Sequence, residues 1–347
     1  MHVRCRWRVG LTALVGALLA VYVGVVPMVV YALLLWWFDR FEKEPLALLI
    51  AAFVWGAVPA VIFSLIAELA LGVPVSRLVR PAAASLVEAG LIAPVAEEIF
   101  KGGALVLLFL FFRREIDGLI DGILYGGLVG FGFAAVENTF YFAASLMEAG
   151  FGLFAALALF RAFLFGLNHA LFTGLLGLGM AWGYTASNTL LKVGAPGLGL
   201  LAAVASHGVH NASVTLGAEF AWPCLIAFVA DWGGVLTMLG VIIWCSVREQ
   251  RWIDEYLAEE VEQGTLSRSD YQVISSYAAR LAARGQALLR GDVDRWWMMG
   301  RFHRLATELA FNKRRLSRLP GEKETGEDIE SLRRQVGHLG TQLALKG

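Results

Sequence analysis

Residues 119–146 read LIDGILYGGLVGFGFAAVENTFYFAASL. The stretch is apolar for longer than the roughly 20 residues a helix needs to cross a bilayer. Its only interior charge is Glu137, beside Asn138, and Gly126, Gly127, Gly130 and Gly132 stand just before that pair. Glycines at such density in an apolar helix let a neighbouring backbone come close. The segment is therefore expected as a membrane helix packed tightly enough to bring Glu137 toward side chains on other helices.

The rest of the chain has the same character. It is 58% hydrophobic and 17% charged, with a mean hydropathy of +0.63, outside the range of ordinary soluble domains. Seven candidate spans follow, at about 9–38, 45–71, 82–112, 119–146, 152–182, 194–217 and 223–246, or eight if the first divides near Pro27. Several are long and glycine-rich, which predicts tilted, kinked or broken helices. The expected fold is all-α: a polytopic transmembrane helix bundle over 1–247 with a C-terminal soluble helical domain over 248–347.

The net charge of zero conceals two solvents, because more than half of the 29 Lys/Arg and 29 Asp/Glu lie in the last hundred residues. That tail is nearly balanced, with no basic block beyond Lys313-Arg314-Arg315, so nucleic acid is not expected as a partner. Cys5, Cys224 and Cys245 lie too far apart for a disulfide framework or a zinc knuckle. Arg4, Arg6 and Arg8 before an apolar run resemble a secretory signal. The run continues to Phe38 without a small-residue cleavage site, which reads as a retained anchor.

Arg40, Lys43, Arg113, Arg114 and Lys192 fall on alternate connections, which the positive-inside bias assigns to the cytoplasm, together with the tail. Arg4, Arg6, Arg8, Arg77 and Arg80 argue the other way. The localisation expected is a bacterial plasma membrane with the tail cytoplasmic. In the tail, Asp270–Leu289 and Asp294–Leu316 have helical apolar spacing. Ser267 offers a cap, and Pro320–Glu327 reads as a flexible connection. The tail is either a surface for a cytoplasmic partner or a solvated helical appendage.

Ionisable groups in mid-bilayer cost about 2.5–3.5 kcal/mol each on insertion scales, and persist mainly where they face a bundle interior. Four spans carry them. The third holds Glu97, Glu98 and Lys101, with the lysine three and four residues beyond the acids and able to reach either. A lysine paired to one glutamate leaves the other free to act as a general base. The fourth holds Glu137 and Asn138. The fifth holds Asn168 and His169, with Arg161 two turns earlier, and the sixth holds His207, His210 and Asn211. At about 1.5 Å per residue, Glu97, Glu137, His169 and His207 all fall within about 7 Å of the midplane. Structural hydrogen bonding explains any one of them; a common depth points to one site. Glu68 and Glu88 read as interfacial, and Arg161 and Asp231 have no assigned role.

These motifs resemble the PrsW family of membrane proteases, relatives of the type II CAAX prenyl proteases and the bacterial Abi group. The likeness covers roughly residues 31–247. It rests on Trp37-Phe-Asp39-Arg40-Phe-Glu42-Lys43-Glu44-Pro45, Glu97-Glu98-x-x-Lys101, Phe133-x-x-x-Glu137-Asn138, Asn168-His169 and His207-x-x-x-Asn211. The CAAX relatives have Arg one position after Lys101 and His in place of Glu137, so prenyl-protein processing is the less expected task. The resemblance implies peptide-bond hydrolysis in or at the membrane, on membrane-protein or peptide substrates such as single-pass anti-sigma factors.

On this reading Glu97 is the general base, Glu98 and Lys101 set its charge, and His169, His207 and Asn211 polarise the water or hold the oxyanion. Glu137 either orients a histidine or joins His169 and His207 as a metal ligand. Two histidines and a glutamate make an accepted zinc set, and a metal would acidify the water. The sequence leaves zinc open. It contains no His-Glu-x-x-His, Gly-x-Gly-Asp or Gly-x-Ser-x-Gly motif. The competing readings are a proton- or ion-coupled transporter, since buried Glu/His chains also relay protons, and a catalytically silent scaffold.

Overall fold

The computed structural model describes residues 2–41, 43–78, 80–318 and 323–345. Among these no strand occurs. The elements are α1 (His2–Phe38), α2 (Leu46–Trp55), α3 (Val61–Leu78), α4 (Pro81–Val87), α5 (Ala93–Phe111), α6 (Leu119–Ala149), α7 (Phe151–Leu157), α8 (Asn168–Thr185), α9 (Thr189–Gly217), α10 (Pro223–Glu262), α11 (Arg268–Ile274), α12 (Tyr277–Leu289), α13 (Val293–Arg318) and α14 (Lys323–Leu345). The side chains of Arg4, Arg6 and Arg8, with Arg114 and all of Glu42, lie outside the described residues. The orientation they were weighed for is untouched by the fold.

Among the described residues six helices are long and apolar enough to cross a membrane, against seven segments expected. The difference is the 82–112 segment. It is helical, but Glu97, Glu98 and Lys101 interrupt its apolar run. The division near Pro27 does not occur, since α1 runs unbroken through that proline. Breaks appear elsewhere. Wider π-helical turns at Gly56–Ala60, Glu88–Ile92 and Ala158–Leu164 separate α2 from α3, α4 from α5 and α7 from the loop before α8. The expected span 152–182 is thus interrupted at residues 165–167, and Asn168 and His169 open a new helix.

The chain divides into two compact units, residues 1–38 with 44–241, and residues 39–43 with 242–347. This differs slightly from a boundary at 247/248. Helix α10 runs through the division without a break, and Phe41 belongs to the apolar core of the second unit.

In the first unit α6 is the central helix, with 83% of its apolar window buried. Its glycines explain how. A Cβ on Gly122, Gly126 or Gly130, spaced one turn apart, would strike the backbone of Gly177, Thr173 or His169 on α8. On another face, Gly132 abuts the backbone of Phe53 on α2. Without a hydrophobic drive between helices in lipid, close backbone approach of this kind supplies the packing energy. Met28, Leu49, Leu105, Leu124, Tyr125, Val129 and Leu176 complete that core. Buried Glu44, in the loop before α2, accepts from the Tyr125 hydroxyl at 2.6 Å.

The second unit is a helical domain around Ile253, Leu257, Ile274, Phe302, Leu309, Leu332 and Val336. Asp270–Leu289 is two helices rather than one, since Ser276 leaves the helix to cap α12 by accepting from the Ala279 amide at 3.3 Å. Ser267 caps α11 as read from the sequence. Of the Pro320–Glu327 run, residues 323–327 are the start of α14 rather than a flexible connection, and the others lie outside the described residues. Fully buried Glu260 accepts from Lys313 at 2.8 Å and from two nitrogens of Arg333, each at 2.8 Å.

Candidate active site

Helices α5, α6 and α8 of the first unit meet at Lys101. Its Nζ lies 2.9 Å from Glu97 Oε2, 2.8 Å from Glu98 Oε1 and 3.1 Å from His169 Nδ1. An ammonium has three protons and no acceptor, so three neighbours satisfy it. Its remaining side faces the Phe133 ring at 3.9 Å, where the π face favours a cation. Lys101 and Glu98 are both 0% exposed, and Glu97 is 5% exposed.

These contacts assign the His169 tautomer. With Nδ1 accepting from Lys101, the ring proton sits on Nε2, which donates to Glu137 Oε2 at 2.8 Å. Glu137 in turn accepts from Arg161 Nη2 at 2.7 Å, and Arg161 Nε donates to Asn138 at 3.0 Å. His207 Nδ1 lies 3.0 Å from Glu98 Oε1, and its Nε2 lies 3.8 Å from Glu97 Oε2. The other Glu98 oxygen accepts from Thr173 at 2.9 Å. The His169 and His207 rings stand 5.2 Å apart and nearly perpendicular.

Glu97, Glu98, His169 and His207 each offer one ligand atom, all within 4.8 Å of one another. Imidazole and carboxylate are the donors that catalytic zinc takes, so the chemistry of the group fits a divalent cation. The set differs from the one expected, Glu137 with His169 and His207. Glu137 is engaged by Arg161 and stands on the far nitrogen of His169, where it orients the ring. Lys101 touches three of the four donors, so its ammonium and a metal ion compete for the same atoms.

A cavity of about 780 Å³ opens beside this cluster, lined by Glu97, Glu137, His169, Arg161, Asn211 and Glu68, with Phe133, Phe160, Phe165 and Phe172 among its apolar wall. Glu68, read as interfacial, thus faces the same space as Glu97. Asn211 lines it too, without a side-chain hydrogen bond to the cluster among the described residues. Glu98, Lys101 and His207 stand behind the wall. Sequence reasoning missed Thr173, one hydroxyl in an apolar helix that nothing marks as a carboxylate's partner. Arg161 and Asp231 carried the signal of intramembrane charge but no partner. The structure pairs them with Glu137 and with His210.

The sequence model of a family described as PrsW family intramembrane metalloprotease matches residues 44–246. Protease PrsW of Geobacillus kaustophilus (strain HTA426) is 33% identical over 156 residues, which is 44% of this chain and 62% of that protein. The match therefore spans less than two thirds of that relative. No solved structure matches the chain.

Proposed function

The chain belongs to the PrsW family of intramembrane metalloproteases, and from that premise we propose that it is a membrane-embedded endopeptidase that cuts membrane-protein substrates with a water activated by Glu97. The observation that carries this reading is the convergence of Glu97, Glu98, His169 and His207 within 4.8 Å, with Glu97 and His169 at the wall of one cavity. Glu97 is the carboxylate of the α5 pair that reaches the cavity, and takes the proton of the attacking water. Glu98, held by Lys101, His207 and Thr173, keeps that corner rigid. Lys101 holds Glu97 in place and balances the paired acids.

Asn211, which lines the cavity beside Glu97, stabilises the developing charge of the reacting carbonyl. His169, fixed by Glu137 and Lys101, and His207, stacked at 4.8 Å on Phe172, brace the glutamate pair. Glu97, Glu98, His169 and His207 are the residues that would hold zinc. When bound, the ion would supply Lewis acidity, lowering the pKa of water and polarising the carbonyl.

The apolar, aromatic lining suits an unwound hydrophobic segment, such as the span of a single-pass protein of the anti-sigma-factor kind. A bacterial plasma membrane with the helical tail in the cytoplasm, available to a soluble partner, completes the reading. The test is a panel of single-pass reporters cleaved in membranes by wild type, Glu97→Gln and His207→Ala. Cleavage by wild type alone is expected. Equal cutting by both variants removes Glu97 and His207 from the chemistry, and Glu97-dependent ion flux without cleavage favours a transporter.

A further inference from the structure

Asp231 lies on α10 inside a candidate span and is only 2% exposed. A carboxylate at such depth persists when it is paired and put to use. Its Oδ2 is 2.7 Å from His210 Nδ1 and accepts from Asn168 Nδ2 at 2.9 Å. The same Asn168 nitrogen is 3.1 Å from His210 Nδ1, so side chains of α8, α9 and α10 close a triangle. An ionised carboxylate only accepts, which puts a proton on Nδ1 of His210.

The other ring nitrogen is what sets His210 apart. Both nitrogens of His169 are held by Lys101 and Glu137, and both of His207 face Glu97 or Glu98. Among the described residues, Nε2 of His210 has no polar partner. His210 lines the same cavity as Glu97. Phe172 joins the two places, since its ring stacks on His207 at 4.8 Å and lies 6.2 Å from His210.

Amide hydrolysis needs a proton at the leaving nitrogen as well as a base for the water, and His210 presents a second proton-bearing group on the cavity that Glu97 lines. We infer that His210, held by Asp231 and Asn168, is the general acid that protonates the leaving amine, an inference that rests on the protease reading above. In that step the water oxygen bonds to the carbonyl carbon and its proton passes to Glu97. The C–N bond breaks with its electron pair going to nitrogen, which takes the Nε2 proton of the His210 imidazolium. His210 is left neutral, its Nδ1–H still donated to Asp231. The proton on Glu97 returns to His210 through solvent in the cavity as products leave. His210 is then a catalytic residue, and Asp231 and Asn168 are positioning residues.

The leaving group tests this. In a single-pass peptide that the wild type cleaves, the scissile amide is replaced by a thioester, whose thiolate departs without a proton. His210→Gln, His210→Ala and Asp231→Asn are assayed on both peptides. General acid catalysis typically contributes 10²–10⁴-fold. The expected result is an amide loss of about 100-fold or more in both His210 variants, against a loss of only a few-fold on the thioester. Asp231→Asn should show the same preference with a smaller loss. Equal losses on both peptides, or amide cleavage within about threefold of wild type, overturn the role of His210. Because misfolding lowers both rates together, their ratio separates a chemical role from a structural one. If wild type cuts neither peptide nor any reporter, the protease reading fails, and the general acid with it.

Discussion

Glu137 Oε2 lies 2.8 Å from His169 Nε2 and 2.7 Å from Arg161 Nη2, so one carboxylate ties the loop-side arginine to the first turn of α8. Partners of this kind fix the tautomer and aim of a ligand or catalytic histidine, and their loss typically costs 10–100-fold. Glu137→Ala is expected to lower kcat by about that factor. Glu137→Gln retains an acceptor for Nε2–H and should keep more activity than Ala. Parallel kcat and KM measurements on the two variants check the order. Equal, full activity would remove Glu137 from the site.

Glu98 is buried with three partners, Lys101, His207 and Thr173. Removing it leaves a buried ammonium short of an acceptor, a loss in the range of about 3–5 kcal/mol for broken buried pairs. Glu98→Ala should unfold at clearly lower temperature than wild type in the same detergent. Thr173→Val, which removes one neutral donor, should cost only about 1–2 kcal/mol. Reversal of that order would argue against the hydrogen-bond arrangement.

The competition between Lys101 and a metal has a direct readout. Lys101→Met frees three of the four donors, so protein purified in zinc-containing buffer should retain more metal than wild type by elemental analysis. His207→Ala removes a donor and should retain less. A metal content unchanged by both substitutions would place any bound ion elsewhere.

Gly130 tests the helix contact that sets the position of His169. A Cβ there would meet the His169 carbonyl, so Gly130→Ala must push α8 from α6. A destabilisation of about 1–3 kcal/mol with a marked loss of cleavage is expected. Gly197→Ala on α9 has nothing within 4 Å and should change stability by no more than about 0.5 kcal/mol. Thermal unfolding and reporter cleavage on both variants check the contrast.

In the second unit, burial together with Arg280 and Arg284 pushes the His303 pKa down from 6.5 to about 3. Its side chain is 6% exposed, and Nδ1 has no partner among the described residues. Between those two values the unfolded chain binds a proton that the folded one does not, so stability falls as pH drops below about 6.5. Between pH 7 and pH 5 the loss from this residue should reach at most about 2 kcal/mol. Hydrogen exchange of amides in α12 and α13 reads it, and His303→Leu should flatten the dependence. An identical slope in both proteins would assign the effect to other groups.

Local information sufficed where one helix decides the matter. The membrane class followed from runs of about 20 apolar residues, and the i, i+3 and i, i+4 spacing placed Lys101 beside both glutamates. Pairings across helices were not legible in this way. The chain suggested Glu137 with His169 and His207, and did not show that Glu97 and Glu98 come within 4.8 Å of both histidines. Nothing along the chain shows that Arg161 turns toward Glu137.

The sequence by itself determined a helical membrane bundle, a charged helical tail, and which spans carry acids and imidazoles. Bilayer thickness and helical periodicity are constraints on contiguous residues. Only the tertiary structure decided the three acceptors around Lys101, the tautomer of His169, the pairing of Asp231 with His210 and the place of Phe41 in the second unit. These depend on rotamers and close approaches between residues tens to hundreds of positions apart, and no short stretch of chain encodes such distances.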